Sequence, residues 1–515
     1  MLPTSTNILI VGTGPAGLAC AISLAVNGYK DIAIVDARPS GRTLSRAIVI
    51  HAQTLEELDT VGCADRLNAR GLHAKYMTVR AQSTLLAKAN FTSLAPRTRY
   101  PWALLISQAE TEEILEERMN ELGITILRPY NVTGMKSVEG GMLVQFETGE
   151  TIKARYVVGA DGSRSTIRQL AGIPFRDPLT GKEPHAERPR GVETDRELEK
   201  RLGKELVIAD VHLSGRIPPE VNTEELSVFL SPLQFLLLVP LPSLKDDPNG
   251  RTVYRMSCPA EPGSADVTLP RLQTVLDSAL GHLPHGGKPR VDRILWSSNF
   301  RVKSAVADRF FARLGDGAVA LIGDAGHVHS PAGGQGMNLG IRDAIQLGRT
   351  LADVLRREAD PGAAPHAARA YALQRLGQFS EERRRMAVQV IRMTKVMTWA
   401  TGLETLPAQK MRDVVWWLMG RGSFVNNRLA LRLSGLQAVE QTKKPAPAPA
   451  QQMSISVTGI ENGIRSLLSK DPQSLQQGAG GAAIRVFSYV VLFACLLFPT
   501  VWLRRAVPLA AGVHA

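Results

Sequence analysis

Two stretches rich in glycine are the places where this chain could bind a nucleotide. The later one, GDAGHVHSPAGGQGMN at 323–338, has five glycines in sixteen residues. Because glycine lacks a Cβ and tolerates positive φ, backbone amides in such a loop can come close to a ligand. The loop follows an apolar run at 318–322 and precedes a helical pattern at 339–355. Strand-to-helix junctions of this kind bind anions and nucleotides.

The earlier stretch is GTGPAG at 12–17, which follows a strand-like run and opens a helical pattern. In a dinucleotide-binding turn, Gly12 would make the bend, Gly14 would admit a pyrophosphate, and Gly17 would let the helix pack on the strand. Asp36, at the end of the next strand-like run, could accept a hydrogen bond from a ribose hydroxyl. The pattern alone does not distinguish NAD from FAD.

A third motif, YVVGADGSRSTIR at 156–168, lies between these two. It places Asp161 and Gly162 between a strand-like run and a helix start that carries Arg168. Two interpretations are open: a capped helix with solvated arginines, since aspartate and serine are good helix caps, or a turn that contributes to a cofactor site.

The elements that would position these motifs follow from hydrophobic periodicity. Apolar runs at 7–11 and 32–36 predict parallel strands around a helix from 15 to about 27, a βαβ unit. Between 206 and 295, short strand-like runs alternate with turn signals, which predicts an antiparallel sheet. From about 367 to 402 the pattern is mainly helical. A nucleotide-binding domain interrupted by an inserted sheet would explain why the later glycine loop comes so late.

Composition narrows the classes of function. The formal net charge is +13, but the basic residues are spread along the chain without a zinc, RRM or homeodomain pattern, so no nucleic-acid partner is predicted. Four scattered cysteines form no C-x-x-C pair, which argues against a disulfide framework. His327 and His329 lack a neighbouring Cys or Glu that would complete a ligand set, so no metal is predicted.

The three motifs, in this order, resemble those of the group A flavoprotein aromatic hydroxylases, the family of phenol hydroxylase and p-hydroxybenzoate hydroxylase. The resemblance covers about residues 7–360 and implies that the cofactor is FAD. This sequence departs from the family in reading GDAGH instead of GDAAH and in lacking the Asn and the Trp-Lys pair of DAxNLxWKLA. Those departures put the subfamily in doubt and leave the cofactor unaffected.

The resemblance also implies roles for individual residues. The early motif and Asp36 would hold the ADP half of FAD. Arg46 would reach the pyrophosphate of FAD, and Gln108 would lie beside the cofactor. Asp161 matches a motif linked to both FAD and NAD(P)H, with Arg168 as a pyridine-nucleotide contact. Pro331, Gly334 and Gln335 are the candidate catalytic residues. The full set of predicted cofactor-binding residues is Gly12, Gly14, Ala16, Gly17, Asp36, Ala37, Arg38, Arg46, Gln108, Asp161, Gly162, Arg168, Asp324, Pro331, Gly333, Gly334, Gly336, Met337 and Asn338.

The function implied by the resemblance is hydroxylation of an aromatic or phenolic substrate, such as a secondary metabolite, by an FAD-dependent monooxygenase. NAD(P)H and O2 would be co-substrates, and the oxygen would be delivered by a flavin C4a-hydroperoxide. The sequence has a single G-x-G-x-x-G run, so NAD(P)H would bind transiently, without a domain of its own. Two alternatives remain: a membrane-bound flavin epoxidase of squalene-epoxidase or kynurenine-monooxygenase type, and a non-catalytic, membrane-tethered flavin-binding protein.

The predicted fold class is α/β, a Rossmann-like FAD-binding domain of glutathione-reductase type interrupted by an antiparallel β-sheet substrate domain, followed by C-terminal helices and a transmembrane helix. Its predicted segments are 1–175 and 301–360 for the two parts of the FAD-binding domain, 176–300 for the substrate domain, 361–440 for a helical region, 441–484 for a linker and 485–505 for the anchor.

The anchor prediction depends on one segment near the end of the sequence. Residues 486–503 carry no charge and are bracketed by Arg485 and by Arg504 and Arg505. As a helix they would span about 27 Å, close to the thickness of a hydrocarbon core. The sequence therefore predicts a membrane protein with a single C-terminal span and a catalytic domain that faces the cytoplasm.

Overall fold

The structure is a computed structural model that describes residues 2–40, 47–183, 205–231, 234–245, 247–260, 267–283, 288–402 and 406–436. These residues form ten α-helices, which are α1 Pro15–Val26, α2 Ala52–Asp59, α3 Ala64–Arg70, α4 Gln108–Glu121, α5 Thr166–Leu170, α6 Leu269–Leu280, α7 Gln335–Glu358, α8 Pro365–Thr401, α9 Leu406–Gly420 and α10 Ser423–Leu433. Two 3-10 turns cover Phe91–Leu94 and Gly323–Ala325.

The strands up to the predicted insertion are β1 Ser5–Val11, β2 Ile32–Val35, β3 Val49–Ile50, β4 Leu72–Ala74, β5 Tyr76–Ala81, β6 Thr84–Asn90, β7 Ala103–Leu105, β8 Ile126–Leu127, β9 Val132–Val138, β10 Gly141–Phe146, β11 Thr151–Gly159 and β12 Phe175–Arg176. The later strands are β13 Glu205–Ser214, β14 Glu225–Ser231, β15 Gln234–Leu241, β16 Val253–Pro259, β17 Arg290–Arg301, β18 Ala305–Ala307, β19 Phe311–Leu314, β20 Gly317–Leu321 and β21 His327–Val328.

The central sheet brings the three motifs to one edge. Its order is β19-β20-β11-β1-β2-β8, with β10 and β9 attached beside β11. The strands β20, β11, β1 and β2 are parallel, and Val11 is in register with both Gly159 and Val35, while Gly159 is in register with Leu321. All four strands therefore end at the same level, where the chain enters its glycine-containing turns. The predicted α/β class is confirmed.

Helices α1 and α7 pack together on this sheet, and small residues allow their close approach. A Cβ on Gly348 of α7 would stand 2.5 Å from the Cβ of Ser23 in α1. The Ser23 hydroxyl donates to the carbonyl of Ile345, 2.8 Å away, inside the same contact. The helix that follows the early motif is thus joined to the helix that follows the late one.

A second sheet has seven strands in the order β17-β13-β16-β15-β14-β5-β6. Helix α6 covers one face of it, where Leu272, Val275 and Leu276 belong to one buried apolar cluster with Val207 and Ala209 of β13. Its strands β5 and β6 come from residues 76–90, far before the predicted insertion, and β5 pairs with β14 in parallel. This sheet is therefore built from two separate parts of the chain, and the predicted domain boundaries stay a prediction.

The predicted membrane localisation is corrected. Within the described part of the chain, no helix combines the length and the apolar composition that are needed to cross a membrane. The prediction rests on the lack of charge over 486–503. Composition alone does not show whether such an apolar stretch packs against lipid or against protein. The segments 441–484 and 485–505 lie outside the described residues.

Candidate functional site

The early turn, residues 12–17, is shaped by backbone contacts. Gly12 has φ +107°, and a Cβ there would stand 2.3 Å from the carbonyl oxygen of Ala160. A Cβ on Gly17 would stand 1.9 Å from the carbonyl oxygen of Gly12. Beside Gly14, by contrast, no heavy atom of the described residues lies within 4 Å of a Cβ position, apart from its chain neighbours. Two glycines are thus required for packing, and the third leaves open space for a ligand.

The carboxylate of Asp36 joins the end of β2 to this turn. It accepts hydrogen bonds from the Thr13 amide at 2.8 Å, the Thr13 hydroxyl at 2.6 Å and the Arg38 amide at 2.8 Å. Burial raises the pKa of Asp36, but the hydrogen bonds from Arg38 and Thr13 outweigh it and hold the pKa at about 2. Asp36 therefore stays ionised, and Ala37 beside it is exposed.

In the turn after β11, the half-buried Asp161 bonds to the chain that follows it, while open space lies beside Gly162. The Asp161 carboxylate accepts from the Ser165 hydroxyl at 2.5 Å and from the Ile167 amide at 3.1 Å. Burial raises the pKa of Asp161, against the effect of these bonds. A Cβ on Gly162 would meet no heavy atom of the described residues within 4 Å. This turn therefore combines a structural carboxylate with room for a ligand.

Arg168 is held inside the protein. Its guanidinium donates to the carbonyls of Ala325 at 2.9 Å and Ser163 at 3.0 Å, and it lies 3.9 Å from the centre of the Phe175 ring. Only 3% of Arg168 is exposed. The arginine thus joins the turn after β11 to the start of the late loop, and its contact with NAD(P)H stays a prediction.

The late loop, residues 323–338, meets the early turn at its first residue. A Cβ on Gly323 would stand 3.0 Å from the Cβ of Ala16. Asp324, the next residue, is exposed. The two glycine-bearing stretches, more than 300 residues apart in sequence, are therefore neighbours in the fold.

The second half of the late loop begins α7 with two left-handed residues. Gly333 has φ +78° and Gly334 has φ +63°, and Gly334 is the N-cap of α7. Because glycine has no side chain, the first-turn amides of α7 have no N-cap side chain to accept their hydrogen bonds. A Cβ on Gly334 would stand 3.3 Å from the Cβ of Val49. Gly336 and Met337, which carry two of these amides, are half-buried, and so is Pro331.

Gln335 and Asn338 hold the late loop to its surroundings. The side-chain nitrogen of Gln335 donates to the carbonyls of Gly333 at 3.1 Å and Leu433 at 3.0 Å. The side-chain nitrogen of Asn338 donates to the carbonyls of Val49 at 2.8 Å and Gly334 at 2.6 Å. Helix α10, which ends at Leu433, therefore takes part in the site, and the sequence patterns had assigned it no such role.

Gln108 lies beside the segment predicted to reach the pyrophosphate. Its side-chain oxygen accepts from the Ala47 amide at 3.3 Å, and its backbone amide donates to the Ala47 carbonyl at 2.9 Å. Arg46, the preceding residue and a predicted cofactor contact, lies outside the described residues.

A buried charged cluster behind the loop was missed by the sequence patterns. The Asp343 carboxylate contacts His327 Nε2 at 2.6 Å and accepts from Arg383 Nε at 2.6 Å. Burial raises the pKa of Asp343, but the charge of Arg383 outweighs it and the pKa is lowered. His329 Nδ1 lies 2.8 Å from the Ser330 carbonyl. Within the described residues, no group of three or more metal-ligating side chains could hold an ion.

Comparison with known proteins agrees with this geometry. A family model described as "FAD binding domain" matches residues 5–186 and 241–394. The chain belongs to this family. Open space beside Gly14 and Gly162 and the uncapped amides at the start of α7 fit an extended dinucleotide with a ring at one end. As a member of the FAD-binding family, the chain has residues that fit FAD in all three turns.

Relatives of known function are monooxygenases. The FAD-binding chain is 31% identical to 6-methylpretetramide 4-monooxygenase from Streptomyces rimosus over 68% of its own length and 56% of the relative's. It is 30% identical to a rifampicin monooxygenase from Streptomyces venezuelae over 67% of its length and 64% of the relative's. Pentachlorophenol 4-monooxygenase from Sphingobium chlorophenolicum is 28% identical, with 69% and 59% covered. The chain thus spans less than two thirds of the length of these relatives.

Solved structures agree on the fold. The crystal structure of p-nitrophenol 4-monooxygenase from Pseudomonas putida superposes with a TM-score of 0.67 at 21% identity, covering 84% of this chain and 99% of that one. Anhydrotetracycline hydroxylase from Streptomyces rimosus superposes with a TM-score of 0.60 at 25% identity, covering 87% and 78%. The predicted resemblance to the group A flavin hydroxylases is confirmed.

Proposed function

We propose that this chain is an FAD-dependent monooxygenase that hydroxylates an aromatic or phenolic small molecule, with NAD(P)H and O2 as co-substrates. One observation carries the proposal: the late loop packs against the early turn at Gly323 and Ala16. The early turn would bind the ADP half of FAD and the late loop its isoalloxazine ring. Relatives such as pentachlorophenol 4-monooxygenase support the aromatic substrate class.

The residues of the chain would bind, orient and stabilise charge. When bound, FAD would supply the electron transfer and oxygen activation that side chains lack. The amides of Gln335, Gly336 and Met337 form the positive end of the 24-residue helix α7. Such an end stabilises negative charge that develops beside it. Pro331 and Gly334 are proposed to contact the ring.

Gln335 is proposed to act as a positioning residue. Its side-chain nitrogen already donates to the carbonyls of Gly333 and Leu433. NAD(P)H is proposed to bind transiently, because the sequence has one G-x-G-x-x-G run and hence no second dinucleotide motif.

Purification and turnover test this function. The purified chain, reconstituted with FAD, should show flavin absorbance. A panel of phenols should include substrates that stimulate NAD(P)H oxidation, with O2 uptake and a product heavier by one oxygen atom. Failure to bind FAD would overturn the proposal. Tight FAD binding without substrate-stimulated oxidation across the panel would favour the non-catalytic flavin-binding alternative.

A pair of glycine variants tests where FAD binds. Gly14→Val would fill the open space of the early turn, and we expect FAD to be lost from a folded protein. Gly377→Val is the matched control, because a Cβ there also meets no heavy atom of the described residues within 4 Å, yet Gly377 belongs to α8 and to none of the three glycine motifs. Equal loss of FAD from both variants would contradict the assignment of the early turn.

A further inference from the structure

The carbonyl of Gly333 is held by two buried side chains. His51 Nε2 lies 2.8 Å from this oxygen and Gln335 Nε2 lies 3.1 Å from it. His51 is 5% exposed and Gln335 2% exposed, so both donors approach from the protein interior. The peptide they hold joins two left-handed glycines, Gly333 and Gly334. Because glycine has no Cβ to restrict the backbone, such a peptide can turn over at small steric cost unless hydrogen bonds fix it.

The proton position of His51 follows from its partner. A carbonyl oxygen only accepts hydrogen bonds, so Nε2 must carry the hydrogen. Burial lowers the pKa of His51 to about 4, which leaves the ring neutral at ordinary pH with one N–H. Nδ1 then carries a lone pair, and it has no hydrogen-bond partner among the described residues.

The backbone of His51 is joined to the same loop. Its amide donates to the side-chain oxygen of Asn338 at 2.7 Å, while the side-chain nitrogen of Asn338 donates to the Val49 carbonyl at 2.8 Å. Asn338 thus pairs with the end of β3 as a second strand would. This pairing places the His51 ring against Gly334, where a Cβ would stand 3.7 Å from Nε2. The ring therefore cannot shift without moving the loop.

We propose that His51 is a positioning residue for the late loop: its ring holds the Gly333 carbonyl toward the protein interior, so that the amides of Gln335, Gly336 and Met337 stay presented to the flavin. This proposal rests on the proposed function, since it assumes a flavin at the late loop. Without the His51 donor, the Gly333–Gly334 peptide gains a second orientation, in which a carbonyl dipole replaces amide dipoles beside the ring. Bound flavin would then be held less tightly and its reduced, anionic form stabilised less.

Three variants of the full chain test the proposal. His51→Leu removes the donor at similar volume, whereas His51→Gln returns an amide N–H near the position of Nε2. We expect His51→Leu to raise the Kd for FAD about tenfold, as loss of one buried hydrogen bond does. The midpoint potential of bound flavin should shift to more negative values in the same variant. His51→Gln should restore most of both.

The control is His73→Leu, because His73 is exposed, lies in β4 and stacks on Trp102, a residue outside the late loop. It should leave the affinity and the potential unchanged. A His51→Leu protein with wild-type affinity and potential would overturn the proposal. So would a folded His51→Gln protein as impaired as His51→Leu, because the lost feature would then be the ring itself and not its donor.

An experiment without flavin separates this proposal from the proposed function. In the 15N spectrum of histidine-labelled apoprotein, His51 should be the neutral tautomer with hydrogen on Nε2 between pH 6 and pH 8, both about two units or more above its pKa of about 4. Hydrogen on Nδ1 would overturn the proposed role of His51 even if the protein binds FAD. The expected tautomer in a protein that fails to bind FAD would instead support the hydrogen bond from His51 to Gly333 and reject the proposed function.

Discussion

The early turn and the late loop are held in place by different kinds of contact. In the early turn, backbone atoms decide the geometry, since a Cβ on Gly12 would stand 2.3 Å from the Ala160 carbonyl oxygen. In the late loop, side chains from distant segments decide it, since the Gly333 carbonyl accepts from His51 and Gln335. Close backbone contact thus dominates in the early turn, beside the hydrogen bonds from Thr13 to Asp36, whereas side-chain hydrogen bonds dominate in the late loop.

This difference predicts how each can fail. A turn closed by backbone contact tolerates no added carbon atom at the positions where the backbones touch, which here are Gly12 and Gly17. A loop closed by side chains depends on every element that supplies a donor, so that it can be weakened from far away. The following variants test that contrast, beginning with the largest expected effect.

Removal of the buried acid behind the late loop should have the largest effect. Asp343→Ala leaves Arg383 and His327 without their shared partner, and we expect the free energy of unfolding to fall by about 3–5 kcal/mol. Asp353→Ala on the same helix is the control, because Asp353 and its partners Arg375 and Tyr371 are partly exposed, and we expect a clearly smaller loss from such contacts. Urea unfolding of the apoproteins measures both. Equal losses would mean that burial of the cluster has no special weight.

The two alanine variants of the early turn should differ from each other. Gly17→Ala forces a Cβ to within 1.9 Å of the Gly12 carbonyl oxygen, and we expect a loss of about 1–3 kcal/mol in unfolding free energy. Gly14→Ala adds its carbon to open space, so its loss should stay below about 1 kcal/mol. Thermal and urea unfolding without FAD compare the two. A Gly14→Ala protein as unstable as Gly17→Ala would show that Gly14 is also required for packing.

Acid should affect the late loop before the early turn. Burial lowers the pKa of His51 and of His329 to about 4 from a usual 6.5. Unfolded rings take up protons near pH 6.5 while the folded rings stay neutral, so their contribution to stability is full above pH 6.5 and lost as the pH falls toward 4. The loss should reach at most about 1.4 kcal/mol per pH unit for each ring.

Asp36 in the early turn should respond at lower pH. Its pKa is lowered to about 2 from 3.8, so its contribution is full above pH 3.8 and lost between there and pH 2. Unfolding free energies measured at a series of pH values test both statements. His329→Gln should flatten the slope between pH 6.5 and pH 4. An unchanged slope in that variant would contradict the titration assigned to His329.

A single hydroxyl pair should have the smallest effect. Ser330 Oγ lies 2.5 Å from Thr398 Oγ1, which joins the late loop to α8. Thr398→Val should cost about 1 kcal/mol. Thr401→Val is the control, because the Thr401 hydroxyl bonds only to carbonyls of its own helix among the described contacts, and its loss should stay within about 0.5 kcal/mol. Equal losses in the two variants would show that the loop gains nothing from this pair.

Local patterns were enough to predict the elements around the site. The helix expected from residue 15 to about 27 is Pro15–Val26, and the one expected at 339–355 is Gln335–Glu358. Both follow an apolar run and a glycine motif, so the signal lies within a few residues of the element. The common edge of the parallel strands then follows from the βαβ pattern.

Contacts between distant segments had no such signal. His51 and Gly333 are 282 residues apart, and Arg383 lies 40 residues from Asp343 on another helix. His51 stands in the same run as Arg46, the one clue that this segment reaches the site. The pairing of β5 with β14 was missed for the same reason, because a strand carries no mark of the partner beside which it will lie.

The end of α10 sets a limit on how far the protein can be shortened. Residues 5–394 include the whole of the family match, yet the Leu433 carbonyl accepts from Gln335 and the Ser434 carbonyl accepts from the Gln53 amide. A truncated form that stops near 394 would keep every recognisable motif and lose both bonds, one of which holds Gln335 of the late loop. The smallest unit worth expressing for crystallisation with flavin therefore extends to at least residue 436.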